Sequence, residues 1–302
     1  MTRLILDSGD PEEYKITAKI AYDNNQELWG GTTNPSLIAK KLAMKGKKLT
    51  KEEAFELQKD IVLQILDFVP GAVSVEVYAD SNTTAEEMIS QGEKIASWHE
   101  RVVIKLPTTI EGFKARTVLR KQSITTNNTL VFSQSQIVAI CIHENLVQKT
   151  YDVKGQWPSF ISPFIGRLDD IGEDGLSLVK NGLELKKQLQ SNLWMLAASI
   201  RNIHHLSESI TLGSELVTAP LKVYEEWFLR KNTGEHQTGL KISKLWNIPD
   251  EVRNIDSLAS FMQALETDIL NISHPLTDKG LERFANDWNA LISDKRNNSN
   301  YH

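Results

Sequence analysis

Lys105 stands where a charge is expensive. It interrupts the run Arg101-Val-Val-Ile-Lys-Leu-Pro107, which otherwise has the β-branched, proline-bounded composition of a buried strand. An ammonium buried without a partner costs several kcal/mol, comparable with the stability of a whole domain. Such a lysine is either paired or gives up its proton, and a desolvated neutral amine is a nucleophile that condenses with a carbonyl to form a Schiff base. Taken alone, a structural ion pair is the better explanation of the residue. Other residues tip the balance. Asp7 and Glu76 are two carboxylates available for separate proton transfers. Thr129 and Asn127 can hold a water or a substrate hydroxyl. Arg167 and Arg201 are permanent cations that, with the Ser199 hydroxyl, could clamp a phosphate. Either arginine alone suits a structural ion pair; together they favour anion binding. The set describes a lysine-based aldol enzyme acting on phosphorylated sugars.

The elements that must position these residues follow from periodicity. Strands are expected at 3–7, 28–33, 72–78, 102–106, 124–131, 160–164, 193–199 and 216–220. Helices lie between them. Thr50-Lys-Glu-Glu53 and Thr84 to Glu87 are capping boxes, Ser133 or Ser135 can cap the helix carrying Ile137 and Cys141, and Glu173 and Asp174 begin another. Strand and helix in alternation imply parallel β-α-β units, and eight units close an α/β barrel of the (β/α)8 type. An open doubly wound sheet would want a glycine-rich phosphate turn after the first strand, and Asp7-Ser-Gly-Asp10 is not one. After the eighth strand the pattern loosens over 228–275 and then gives an amphipathic segment from Leu258 to Leu270 and a last helix from Asp278 to Ile292. The expectation is one domain, residues 1–293, with a helical C-terminal extension and a disordered tail over 294–302.

Side chains alternate across a strand, so parity decides which residues point into the barrel. Lys105 shares a face with Val103, and Val73, Val75 and Val77 facing the helices send Glu76 inward. The same logic groups Ile5 with Asp7, Thr32 with Asn34, Asn127 with Thr129, Ser162 with Phe164 and Ser199 with Arg201. Every strand, the last left open, then carries a polar or ionisable residue inward near its C-terminal end, where barrel enzymes build active sites.

Composition narrows the alternatives. The chain has 302 residues and a net charge of −5, so no general attraction to nucleic acid or anionic membrane is expected. The basic stretch Lys40, Lys41, Lys45, Lys47, Lys48 and Lys51 reads as a solvated helix end and turn. Cys141 is the only cysteine, so no intrachain disulfide can form, and its apolar neighbours suggest helix core. No stretch approaches the ~20 apolar residues of a membrane span, and no targeting segment is apparent, so a soluble cytoplasmic protein is expected.

The motifs Leu6-Asp-Ser-Gly-Asp10, Thr32-Thr-Asn-Pro-Ser36, Ser74-Val-Glu-Val77, Val103-Ile-Lys-Leu-Pro107, Thr129-Leu-Val-Phe-Ser133, Ile161-Ser-Pro-Phe-Ile-Gly-Arg167, Ala197-Ala-Ser-Ile-Arg201 and His274 to Phe284 resemble the transaldolase family from residue 3 to about 292. The resemblance implies transfer of a dihydroxyacetone unit from fructose 6-phosphate or sedoheptulose 7-phosphate to erythrose 4-phosphate or glyceraldehyde 3-phosphate, in the pentose phosphate pathway. It implies that Lys105 forms the Schiff base, that Asp7 handles the C4 hydroxyl proton, and that Glu76 works through a water held by Thr129. Asn34 and Asn127 would bind the dihydroxyacetone hydroxyls, with Thr32 and Ser162 beside them, and Arg167, Ser199 and Arg201 would receive the phosphate. The iminium is the electron sink, so no metal, flavin or nicotinamide is implied. The adjacent pair His204-His205 does not suit two ligands on one metal. Fructose-6-phosphate aldolases resemble the chain in the lysine and aspartate but tend to carry glutamine at the site of Glu76 and tyrosine at that of Phe164. A catalytically silent sugar-phosphate binder would be expected to have lost Lys105, Asp7 or Glu76. The assembly, monomer or homo-oligomer, stays open. Asn128 stands where the family usually has an aliphatic residue, and Trp29-Gly30-Gly31 has no reading from sequence.

Overall fold

Eight strands form close to where the β-branched runs predict them, and in a computed structural model they close on themselves. The structure describes residues 2–43, 48–229 and 238–292; the expected tail over 294–302, Lys45, Lys47 and the piece 231–235 lie outside them. The strands are β1 (Arg3–Asp7), β2 (Leu28–Thr32), β3 (Val73–Glu76), β4 (Val102–Pro107), β5 (Thr126–Val131), β6 (Phe160–Pro163), β7 (Trp194–Ala197) and β8 (Leu216–Ala219). They pair in chain order, all in parallel, and β8 returns to β1. The helices are α1 (Pro11–Asp23), α2 (Pro35–Ala43), α3 (Lys51–Leu66), α4 (Ala85–Ala96), α5 (Ile110–Lys121), α6 (Gln134–Thr150), α7 (Ile165–Asp169), α8 (Gly175–Gln188), α9 (Ile203–Thr211), α10 (Leu221–Phe228), α11 (Asp250–Arg253), α12 (Leu258–Glu266) and α13 (Pro275–Asn289). This is a (β/α)8 barrel with a helical C-terminal extension. None of these helices is long and apolar enough to cross a membrane.

Local chemistry explains the starts. Thr50 with Glu53, Thr84 with Glu87 and Ser133 with Gln136 each form a reciprocal capping box, and Asp174 caps α8. The terminal helix begins three residues ahead of the expected Asp278, because His274 accepts the Leu276 N–H on its side chain and Pro275 takes the first helical position. β3 and β7 are shorter than expected; past their ends the Val77 N–H still bonds the Lys105 carbonyl and Ala198 still bridges to Phe164.

Parity holds in most strands. Val102, Ile104, Leu106, Val73, Val75 and Val77 join the core between sheet and helices, while Val103, Ile5, Ala72, Phe160, Leu196 and Leu216 form a separate cluster inside the barrel. Most of these residues stand toward the N-terminal ends of their strands, with Ile5 and Leu196 further along, so they floor the barrel and leave its C-terminal end mainly to polar residues. Trp29, Trp157 and Trp194 seal the floor, with Trp29 edge-on to the other two at 5.5 and 6.0 Å and the Arg3 guanidinium 4.3 Å from the Trp194 ring.

That floor explains Trp29-Gly30-Gly31. The β1–β2 register moves from Leu4↔Leu28 to Ile5↔Gly30, leaving Trp29 as a bulge residue whose indole turns beneath the barrel. A Cβ on Gly30 would lie 2.3 Å from the Ala72 carbonyl oxygen, and one on Gly31 would lie 2.5 Å from the Tyr14 hydroxyl. Asn128 is equally accounted for: its amide donates to the Phe160 carbonyl at 2.8 Å, so a polar side chain serves where an aliphatic one would pack.

The extension wraps back over the barrel. Ser243 meets Ser177 and Asn181 of α8, and Gln134 of α6 bonds the backbone at Lys244 and Trp246. The helix α13 then lies at the C-terminal mouth, where Thr277 donates to the Leu130 carbonyl at 2.9 Å and Gln136 donates to Thr277 at 3.0 Å.

Candidate active site

The ladder puts Glu76, Lys105 and Asn127 at one level of three adjacent strands. Lys105 and Glu76 are each only 4% exposed. The Lys105 Nζ lies 3.1 Å from Glu76 Oε2 and donates to the Thr33 carbonyl at 3.2 Å. The contact with Glu76 is an ion pair off the line of a hydrogen bond, since Oε2 has no aligned donor among the described residues. The buried lysine is therefore paired, with an acid that is itself unsettled. Burial raises the Glu76 carboxyl above its ordinary value, and the opposing pull of Lys105 and then Arg167 does not cancel it. Asp7, half-buried at the end of β1, is also raised by burial against the pull of Lys105, a hydrogen bond from Thr32 and Arg167. Lys105 thus faces two acids that both hold protons more tightly than usual.

Side chains from neighbouring strands fix these groups. The Thr32 hydroxyl donates to Asp7 Oδ1 at 2.8 Å and lies 2.7 Å from the Thr218 hydroxyl. With its one proton given to Asp7, Thr32 accepts from Thr218. Strand eight therefore does contribute a polar inward residue, and counting two on from Leu216 would have found it. Ser162 donates to Asn127 Oδ1 at 2.6 Å, and the Asn127 amide donates to Ser74 at 3.1 Å, a buried chain across β6, β5 and β3. Thr129 Oγ1 is buried without a partner among the described residues.

A cavity of about 210 Å³ opens above, enough for a small metabolite. Asp7, Thr32, Asn34, Lys105, Ser162 and Phe164 line its depth, with Arg167, Ser199 and Arg201 toward the rim. Glu76, Asn127 and Thr129 stand behind this wall and reach the cavity only through neighbours. Asn34 also caps α2, accepting the Leu37 N–H at 3.0 Å. Arg283 and Phe284 of α13 join the lining; both lie in the terminal motif, but only the tertiary fold brings them here.

Two expectations need correcting. In β7 the inward parity belongs to Leu196, while Met195 and Ala197 face the helices, so Ser199 is out of step with the barrel interior. It lines the cavity because the strand has ended and its φ of 56° turns the chain. Arg201 is not a free cation: its guanidinium forms a bidentate pair with Asp170 at 2.6 and 2.6 Å on the rim. Arg167 has no carboxylate partner among the described residues and packs against Phe164 and Phe284, each 5.4 Å from its guanidinium. Burial first, then Arg283 and Arg201, lower its proton affinity. Arg167 and Arg283, with the Asp170-paired Arg201 beside them, make this end of the cavity favourable for an anion.

The family model described as Transaldolase/Fructose-6-phosphate aldolase matches residues 4–295. The chain belongs to that family. Relatives named "Probable transaldolase" include one from Brevibacillus brevis, 32% identical over 289 residues and covering 96% of this chain and 99% of the relative. One from Thermus thermophilus is 32% identical, covering 95% and 98%; one from Caulobacter vibrioides is 32% identical, covering 95% and 96%.

As a member of the transaldolase/fructose-6-phosphate aldolase family the chain is an enzyme of the transaldolase type. Among the described residues no group of three His, Cys, Asp or Glu side chains is placed to hold a metal. His205 is engaged elsewhere, with Nε2 at 2.8 Å from Asp169. Cys141 is buried in α6, where desolvation pushes its thiol up to about 12, the behaviour of a packing residue.

Proposed function

We propose that the enzyme is a transaldolase that moves a dihydroxyacetone unit between sugar phosphates through a Schiff base on Lys105. The observation that carries the reading is the pairing of Lys105 with Glu76 at 3.1 Å, beside Asp7, beneath a cavity crowned by guanidiniums. In this reading Lys105 passes a proton to Glu76, and the free amine attacks the ketose C2. Glu76 returns the proton through a water held by Thr129 as the carbinolamine loses hydroxide to give the iminium. Asp7 takes the C4 hydroxyl proton, the C3–C4 bond breaks, and its electron pair moves into the iminium to leave an enamine and a free aldose phosphate. The acceptor aldehyde then enters and the steps reverse.

The remaining residues bind and orient. Thr32 aims Asp7, Asn34 and Ser162 hold hydroxyls of the dihydroxyacetone part, and Asn127 fixes Ser162. Arg167 receives the phosphate, with Ser199 and Arg201 at the rim. Phe164 and Phe284 keep water from the enamine until the acceptor arrives. Donors such as fructose 6-phosphate or sedoheptulose 7-phosphate, acceptors such as erythrose 4-phosphate or glyceraldehyde 3-phosphate, and work in the cytoplasmic pentose phosphate pathway follow from the family resemblance.

The test is to measure free dihydroxyacetone from fructose 6-phosphate with and without an aldose phosphate. Product that forms only when the acceptor is added supports the transaldolase. Rapid release of dihydroxyacetone without acceptor makes the enzyme a fructose-6-phosphate aldolase instead.

A further inference from the structure

Asp169 and His205 form a buried pair that the proposed reaction leaves unused. They are 6% and 5% exposed, and neither lines the cavity. The pair is directional. Asp169 Oδ1 accepts the Gly175 N–H at 3.0 Å and Oδ2 lies 2.8 Å from His205 Nε2. Burial alone would raise this carboxyl, but the bonds from His205 and Gly175 hold it below its ordinary value, so it is an anion. His205 Nε2 therefore carries the proton. The other ring nitrogen, Nδ1, accepts the backbone N–H of Arg201 at 3.4 Å. Because His205 is the third residue of α9, its ring reaches back past the helix cap while Asn202 accepts the His205 N–H at 2.8 Å.

What the pair joins matters more than the pair. Asp169 ends α7, which carries Arg167; His205 grips the turn that carries Ser199 and Arg201. Ser199 has a φ of 56°, a conformation a non-glycine residue keeps only when its surroundings enforce it. Gly166 helps by donating its N–H to the Ser199 carbonyl at 3.0 Å. Its bare Cα admits the Arg201 side chain, which a Cβ would meet at 2.6 Å.

We infer that Asp169 and His205 are positioning residues for the substrate's phosphate, holding the 199–201 turn in register with Arg167 and so setting preference for phosphorylated over unphosphorylated ketoses. The inference rests on the proposed phosphate site at Arg167. It involves no proton transfer to substrate.

The experiment uses the full chain and two probes: inorganic phosphate binding by calorimetry, and steady-state kinetics with fructose 6-phosphate against fructose at fixed acceptor. His205→Gln keeps a donor toward Asp169 but removes the acceptor facing the Arg201 N–H. It is expected to weaken phosphate binding and raise KM for fructose 6-phosphate by about tenfold, short of the ~10²-fold loss of a full 1 Å misplacement. Both kcat and the kinetics on fructose should change by less than about twofold, within the scatter of an unperturbed chemical step. Asp169→Asn, which keeps the side chain's volume, is the second variant should His205→Gln not fold, and it is expected to act in the same direction. Unchanged phosphate affinity, or an equal loss on both ketoses, overturns the inference. Arg167→Ala separates the two levels. If it abolishes phosphate binding while the positioning variants do not, this inference alone falls; if it leaves phosphate binding intact, the phosphate site itself is wrong.

Discussion

A lysine paired with one raised acid and near a second is a compact proton store. In the proposed reaction Glu76 takes the Lys105 proton without either group meeting bulk water, and Asp7 is left for the carbon chemistry. The proposed roles separate by geometry: Asp7 lines the cavity and can touch substrate, whereas Glu76 stands behind it and, in the proposed reaction, acts through Lys105 and Thr129. Asp7→Asn keeps the hydrogen bond from Thr32 but cannot accept the alcohol proton. It is expected to lower kcat by about 10²–10⁴-fold while Schiff-base formation on Lys105, read by borohydride trapping, persists. Unchanged turnover would remove Asp7 from bond cleavage. At this scale much of the site was legible, because parity along β1 to β6 is a local rule and Lys105, Glu76 and Asp7 obey it. Ser199 was found for the wrong reason, since its strand had already ended. The Arg201–Asp170 pair could not be read at all, because it joins two loops that only the closed barrel brings together.

At the scale of elements, short strands carry the chemistry at one end and need an inert floor at the other. The floor is where the sequence was silent. Three tryptophans far apart in the chain have no shared periodicity, and the bulge that turns Trp29 beneath the barrel is a pairing event between β1 and β2. The glycines beside it are packing residues: Gly30 lies against the Ala72 backbone, which cannot swing aside. Gly30→Ala is expected to cost about 1–3 kcal/mol, seen as a drop of several degrees in Tm. A melting curve coincident with wild type would show that the β2–β3 contact yields freely. The helical extension was legible as amphipathic pattern, but its seat over the mouth was not. That seat depends on Thr277 and Gln136 meeting across the fold, and it is what delivers Arg283 and Phe284 to the cavity.

For the molecule as a whole, buried ionisable groups both outside and inside the site shape the response to acid. His143 lies between the rings of Phe113 and Phe261, each 5.2 Å away, and joins α5, α6 and α12. Burial, then Arg116, hold it well below 6.5, so the folded chain keeps it neutral while the unfolded chain takes up a proton. Stability therefore falls as pH drops through about 6.5, with a slope of about 1.4 kcal/mol per pH unit for one proton. Glu144 acts lower. Burial raises it, but Arg116 and Arg120 at 2.7 and 2.8 Å outweigh burial and bring it to about 2, so its contribution is present above 4.5 and lost toward 2. Asp7 and Glu76 have the opposite sign: raised in the folded state, they favour it at low pH and lose that contribution as pH rises past ordinary carboxylate values. Between pH 7 and 5 His143 therefore pulls Tm down as pH falls, against the opposite contribution of the two acids. His143→Gln should flatten that fall, whatever its effect on Tm at pH 7; an unaltered slope would assign the acid sensitivity elsewhere.

The most direct test of the mechanism is to incubate the enzyme with fructose 6-phosphate, reduce it with borohydride and map the mass gain by peptide mass spectrometry. The account predicts one adduct, on Lys105, absent from Lys105→Ala even though that variant still binds inorganic phosphate. An active enzyme that gives no adduct, or an adduct on a different lysine, would contradict it.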